Sequence, residues 1–426
     1  MQFNLVPRYL GAALLLAMGV TPSAAALAPA ASPDTSTFAL IDIQASKMTG
    51  QGLTIPSLAR NLAALGSNDT EKARAIYTWI AHNISYDTPS FLAGRSVSGK
   101  PEDVLRNGRA VCQGFAAVFQ ALATEAGLKS VIVEGYSKGY HYQTGAKITG
   151  PPDHAWNAVL IDGQYKLLDC TWGAGYMDTE KRFVRRFQDR YFFTKPEEFI
   201  FDHFPLNPRW QLLDPPVSRE DYENRVVLRP AFFNHGLKVE SHISSVVTVD
   251  GQTELSLITP RDVAVMPMLK RDGKKLARNL VFSKRDGDRV RVAVRPPETG
   301  RYQLQIFTRA AEDSGSFEIA AEYVLLATRP SDTAGFPESY EPFLTRDVRL
   351  LSPLQGELQT GSPVKFRIEL SEAESVAVIM DGKFEYLEKA GSVWQGVVAP
   401  RPGSLRIGAR FPGENQFQIL LAYNTR

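Results

Sequence analysis

The segment Val111 to Gly127, VCQGFAAVFQALATEAG, constrains the fold most. Phe115, Val118, Phe119 and Leu122 recur at i, i+3, i+4 and i+7, the spacing of one helical face. Alanines fill most of the remaining positions, so the helix is apolar nearly all round and must be enclosed by other elements. Gly127 is placed to end it. The helix opens on Cys112, where unpaired N–H groups and the positive end of the helix dipole favour an anion. A cysteine there is a nucleophile held as thiolate, a small buried apolar residue, or half of a disulfide.

The stretch HAWNAVLIDGQYKLLDCTW, residues 154–172, narrows the choice. Asp162-Gly163 between two apolar runs signals a two-residue β-hairpin turn. With those residues as the loop, Ile161 pairs with Gln164, and His154 lies opposite Thr171. Asp169 then shares a face with His154 as its diagonal neighbour, with Cα atoms about 7–8 Å apart. A carboxylate that orients an imidazole fixes its tautomer and stabilises the imidazolium, while the other ring nitrogen takes the thiol proton. Trp156 is on the same face and is expected to wall the site. Asn157 falls on the opposite face, against a second catalytic role. By the same parity Cys170 points away from Asp169, which argues against a Cys112–Cys170 disulfide. Neither cysteine has a close-spaced partner cysteine or histidine, so no metal site is expected.

Taken with AIYTWIAHNISYD (75–87), VCQGFA (111–116), DHAWNAVLIDGQYKLLDCTWGAG (153–175) and FDHFPLNPRWQLL (201–213), residues 55–215 resemble the transglutaminase-like superfamily. The resemblance is closer to the kyphoscoliosis peptidase and cytokinesis protein three branch, which includes bacterial secreted members. It implies an α+β fold with a papain- or transglutaminase-like core. It also implies a triad of Cys112 as nucleophile, His154 as general base and acid, and Asp169 as orienter. In this superfamily an upstream tryptophan can help bind the oxyanion, and Trp79 is a candidate, although a core position suits it as well. Tyr86 can approach the site, although a buried tyrosine with a satisfied hydroxyl suits its position better, and the N–H groups at the helix start, around Cys112 and Gln113, can stabilise an oxyanion. No cofactor or metal is implied.

The chemistry expected is attack on a carbonyl, a thioester acyl-enzyme, and loss of ammonia or an amine. Water as acceptor makes a secreted cysteine peptidase or amidase. A lysine-type amine makes a protein-crosslinking transglutaminase. A cleft that holds a peptide without chemistry makes an envelope interaction protein.

The remainder of the 426 residues leaves room for two further domains. Net charge is +2, and no basic stripe with interleaved aromatics points to nucleic acid. Residues 1–26 read as a signal peptide: Arg8, an apolar run from Leu10 to Val20, and small residues for cleavage after Ala25 or Ala26. Export to the periplasm or outside is therefore expected, with no membrane span after cleavage and a protein or peptide substrate, the cell envelope being one source. Residues 27–54 read as a leader and extension. Helices are expected over 55–65 and 69–84, and a polar loop over 87–105. Tyr136 to Pro152 reads as a mobile substrate lid, with His141 exposed, and His203 reads as a packing residue. Beyond a linker at 215–225, alternating short strands predict two immunoglobulin-like sandwiches, 226–328 and 343–426, joined by 329–342. Residues 262–276 resemble 375–387, and 299–307 resemble 413–421, as if one unit were repeated.

Overall fold

A computed structural model describes residues 38–331 and 334–426. The expected signal peptide and the first part of the leader lie outside the described residues. No described helix is long and apolar enough to cross a membrane.

The N-terminal core is built on the helix Cys112–Glu125. Phe115, Val118, Phe119 and Leu122 are all fully buried. They pack against an antiparallel five-stranded sheet whose strands lie in the order Phe192–Thr194, Gln164–Leu168, His154–Ile161, Ser130–Ser137, His203–Pro205. Helices Ile55–Ala63 and Asp69–Asn83 complete the core. Asn68 caps the second through a bond from the Glu71 N–H at 2.9 Å. The segment before them joins the same core. Helix Ala39–Lys47 buries Ile41 and Ala45, and its Asp42 accepts from Arg74 Nε at 2.8 Å and Thr78 Oγ1 at 2.6 Å. The expected loop over 87–105 contains two short helices, Thr88–Leu92 and Pro101–Asn107, each opened by a proline in its first turn.

The hairpin forms as its turn chemistry requires. Asp162 and Gly163 both have positive φ, 48° and 77°, and Ile161 pairs with Gln164. The ladder runs back to Asn157↔Leu168 and stops there. Asp169 is not on the strand. It is the N-cap of a five-residue helix, Cys170–Ala174, and its Oδ1 accepts the N–H groups of Thr171 at 2.7 Å and Trp172 at 3.2 Å. The extrapolated pairing of His154 with Thr171 is therefore corrected: two orphan N–H groups of a helix start compete successfully for the carboxylate. Cys170 is buried, and both cysteines are free.

Gly135 sits one strand in from the edge of the sheet, paired with His154 on one side and Pro205 on the other. A Cβ there would meet Phe204 O at 2.2 Å and the Trp156 ring at 2.6 Å. The bare backbone lets the strand carrying His154 and the short strand carrying His203 flank Ser130–Ser137 closely, one on each side. Gly135→Ala is therefore expected to destabilise the domain by at least about 2 kcal/mol, because backbone and a packed indole must move. Thermal unfolding of the variant checks this, and an unchanged midpoint would refute it.

Two β-sandwiches follow, each with a six-stranded and a four-stranded sheet. The first has the path Val227–Leu228, Glu318–Arg329, Gly300–Ala310, Val263–Arg271, Lys274–Lys275, and the second Glu338–Ser339, Gln418–Thr425, Gly403–Arg410, Ser375–Met380, Lys383–Tyr386. In each, a short strand adds in parallel to the second member of the path. The repeat 262–276 with 375–387 is thus the same hairpin in both. The match of 299–307 with 413–421 is displaced by one strand: Gly300–Ala310 corresponds in the path to Gly403–Arg410. Alternating apolar strands look alike regardless of their place in the sheet. The segments expected as linkers are packed. Tyr222, in helix Arg219–Asn224, is fully buried, and Phe336 and Phe343 enter the last core.

Candidate active site

Cys112 opens its helix half-buried, on a turn whose N-cap, Val111, supplies no side-chain acceptor. The first N–H groups of the helix, those of Cys112 and Gln113, are thus left for a ligand or water. Strand Ser85–Tyr86 runs parallel to Arg109–Ala110, with Tyr86 beside Ala110, and delivers the Tyr86 ring to the same place. Burial, then the charge of Cys112 and of Asp169, raises the Tyr86 hydroxyl above its ordinary range. Tyr86 is therefore a half-buried neutral donor at the site.

His154 is 7% exposed, and its Nε2 lies 2.8 Å from Asp169 Oδ2. Cys112 is within hydrogen-bonding reach of the same ring, so the nitrogen left for the sulfur is Nδ1. Burial works against a charged ring. The Asp169 charge and hydrogen bond, then Cys112, outweigh it and lift His154 to about 10. Burial likewise works against a charged Asp169, but His154 and then His203 hold the carboxyl well below its usual range. The attacking form of a cysteine nucleophile is in general the thiolate, paired with a neighbouring imidazole that handles the proton. The structure thus brings Cys112, His154 and Asp169, the three residues singled out from the sequence, into one site.

The rest of the expected surroundings divide. Trp79 is 1% exposed inside its helix and donates Nε1 to Met48 O at 2.9 Å, so it is a core residue and not an oxyanion donor. Trp156 is also 1% exposed. It lies beneath the histidine, ring centroids 6.0 Å apart, and underlies the site instead of walling an open cleft. Gln113 is exposed, and its side chain extends towards Gly99. Asn157 donates to Ala116 O at 3.1 Å and ties the sheet to the cysteine helix. His141 is exposed, 5.1 Å from the Phe91 ring.

Three site residues escape the sequence reading. His203, expected to be packing only, is fully buried with Nε2 3.0 Å from Asp169 Oδ2 and Nδ1 2.7 Å from Asp202 Oδ1. Asp202 is the second. The third is Trp172, whose ring stands 5.3 Å from His154 and 4.5 Å from His203. The adjacent Asp-His pair inside 201–213 is the signal that could have marked the first two. His154, Asp169 and His203 offer ligand-type atoms within 4.8 Å of one another. A metal there would compete for the Nε2 and Oδ2 atoms that already hold the triad together.

The expected lid is anchored. Tyr142 donates to Glu223 O at 3.3 Å, the Ile148 N–H to Glu223 Oε1 at 3.1 Å, and Arg219 to Ile148 O at 2.7 Å. Arg301, from the first sandwich, donates to Thr144 O at 3.2 Å, and buried Lys138 donates to Arg225 O at 2.8 Å. Helix Arg219–Asn224 and the first sandwich thus hold the loop that borders the site.

Core and sandwiches together define a transglutaminase-like domain followed by immunoglobulin-like domains. Comparison with known proteins agrees: residues 56–170 match the transglutaminase-like superfamily, and residues 219–338 match the KY-like, immunoglobulin-like domain. Human kyphoscoliosis peptidase is 36% identical over 294 residues, covering 68% of this chain and 43% of that protein. Hillarin of Drosophila melanogaster is 30% identical over 289 residues, 60% of this chain and 34% of that protein. The Lim and transglutaminase domain protein ltd-1 of Caenorhabditis elegans is 28% identical over 343 residues, 76% and 42% respectively. The chain spans less than half the length of these curated relatives.

Proposed function

We propose that this protein is a cysteine-dependent peptidase or amidase that cleaves protein or peptide amides through a thioester on Cys112. One observation carries the reading: an accessible sulfur at an uncapped helix start faces an imidazole whose far nitrogen is bonded to a buried carboxylate. The Cys112 sulfur attacks the carbonyl carbon. In this reading the first N–H groups of the helix and the Tyr86 hydroxyl stabilise the oxyanion. His154 gives its proton to the leaving amine, then takes one from water as the thioester is hydrolysed. The name of the peptidase relative supports hydrolysis over crosslinking.

Export belongs to the same proposal. Arg8 and the apolar run to Val20 support it, with peptides or proteins of the periplasm, cell surface or medium as substrates. A mature N-terminus at Ala26 or Leu27 supports export, and an intact Met1 in the purified native protein refutes it.

The activity test offers labelled peptides to the wild-type protein with and without a primary amine. Release of fragments or ammonia supports hydrolysis. Amine incorporation at the expense of hydrolysis makes the protein a crosslinker. Peptide binding without turnover, unchanged in Cys112→Ala, makes it a binding module.

A further inference from the structure

We infer that His203 and Asp202 form a second, buried dyad that positions and tunes the Asp169 carboxylate, so that the working relay has five members: Cys112, His154, Asp169, His203 and Asp202. The inference rests on the catalytic reading of Cys112 and His154 and extends it to residues that touch neither the sulfur nor a substrate.

The geometry is specific. Asp169 Oδ2 is shared by two imidazoles, at 2.8 Å from His154 Nε2 and 3.0 Å from His203 Nε2. Its Oδ1 is taken by two backbone N–H groups. Four donors saturate the carboxylate, which therefore has one orientation. An ionised carboxylate only accepts, so His203 donates to Asp169 through Nε2, while its Nδ1 faces Asp202 Oδ1. Asp202 is fixed in turn: Tyr191 donates its hydroxyl to Oδ2 at 3.1 Å, Arg190 stands 3.9 Å from the same oxygen, and Tyr222 and the Lys138 N–H donate to its backbone carbonyl at 3.1 and 3.0 Å. Phe199 stacks on the His203 ring at 4.0 Å and 16°, with Trp172 at 4.5 Å, so the ring cannot turn.

Such a dyad has two consequences. It aims Oδ2 at His154. It also draws charge from that oxygen, which weakens the hold of Asp169 on the His154 proton. The second matters because the imidazolium must surrender its proton to a leaving amine, and an acid held too tightly is a poor donor. Burial and the two histidines together set the Asp169 carboxyl, with His203 one of the groups that lower it.

The test uses the full chain and does not depend on turnover. Alkylation of Cys112 by iodoacetate, an anionic reagent, is followed against pH. The rate rises as thiolate forms and falls as the neighbouring imidazolium loses its proton. His203→Leu removes the ring that donates to Asp169, and its alkaline limb is expected to move up by about one pH unit. His203→Gln restores a donor towards Asp169 and is expected to return the limb most of the way. Asp202→Asn, nearly isosteric, is expected to move it in the same direction by less. Where peptide hydrolysis is measurable, His203→Leu lowers kcat at least tenfold with little change in KM. A folded His203→Leu with the wild-type profile overturns the inference. If that variant does not fold, Asp202→Asn decides: a shifted limb supports the dyad, and a wild-type limb overturns it. Absence of any falling limb in the wild type would instead refute the Cys112–His154 pair itself, so the two failures are distinct.

Discussion

Cys112→Ala is expected to reduce hydrolysis of peptide amides by at least about 10⁴-fold while leaving the fold and peptide affinity intact. The sulfur is the atom that bonds to the carbonyl carbon, and nothing else at the helix start can replace it. Cys170 is free but buried, and burial pushes its thiol well above the ordinary range. Stability should be nearly unaffected, because Cys112 is half-buried and belongs to none of the apolar cores. Turnover assays with the purified variant, beside its thermal midpoint, check both halves. Retained hydrolysis would remove Cys112 from the chemistry, and a large fall in the midpoint would give it a structural part.

Asp169→Asn carries the second large effect, and here fold and activity fall together. All four acceptor directions of the carboxylate meet donors: two ring nitrogens at Oδ2 and two backbone N–H groups at Oδ1. An asparagine must turn its NH₂ group towards one pair or the other. Turned to the backbone pair, the NH₂ group faces two N–H groups in a fully buried site; turned to the rings, it forces them to present Nε2 as an acceptor, the wrong tautomer for His154, and in both cases His154 loses its counter-charge. Breaking a buried ion pair of this kind costs about 3–5 kcal/mol, and loss of the orienting carboxylate lowers turnover about 10³–10⁴-fold. The stability loss has a pH signature. Asp169 is held below its usual range, so its contribution is present above the ordinary carboxyl range and disappears as pH falls through the depressed value. Denaturation of wild type and variant should converge in strong acid. Equal stability at neutral pH would contradict the four-bond geometry.

Most of the site is legible in the sequence because its strongest signals are local. The Phe115, Val118, Phe119, Leu122 stripe needs only helical periodicity, and Asp162-Gly163 needs only turn chemistry. Together they place Cys112 and His154. Asp169 was reached by extending the strand ladder one step too far. It meets His154 anyway, because a helix cap on the strand's end turns the carboxylate back to the same face. His203 was not legible. It sits on a three-residue strand with no periodicity, and its role depends on Gly135 letting two strands close over the Trp156 ring. Trp79 shows the converse: a tryptophan at the edge of a helical stripe has the same sequence context whether its N–H meets a substrate or, as here, the carbonyl of Met48. The segment from Tyr136 to Pro152 reads as mobile from its glycines and aromatics, yet it is anchored. Its partners, Glu223, Arg219 and Arg301, lie in segments whose packing against it no local pattern records.

The claim beneath all of this is that His154 activates Cys112. Iodoacetamide labelling at pH 6, followed site by site by peptide mapping, measures it directly. Cys112 should react at least tenfold faster than Cys112 in His154→Gln and far faster than Cys170. Equal Cys112 rates in the wild type and His154→Gln would contradict the account.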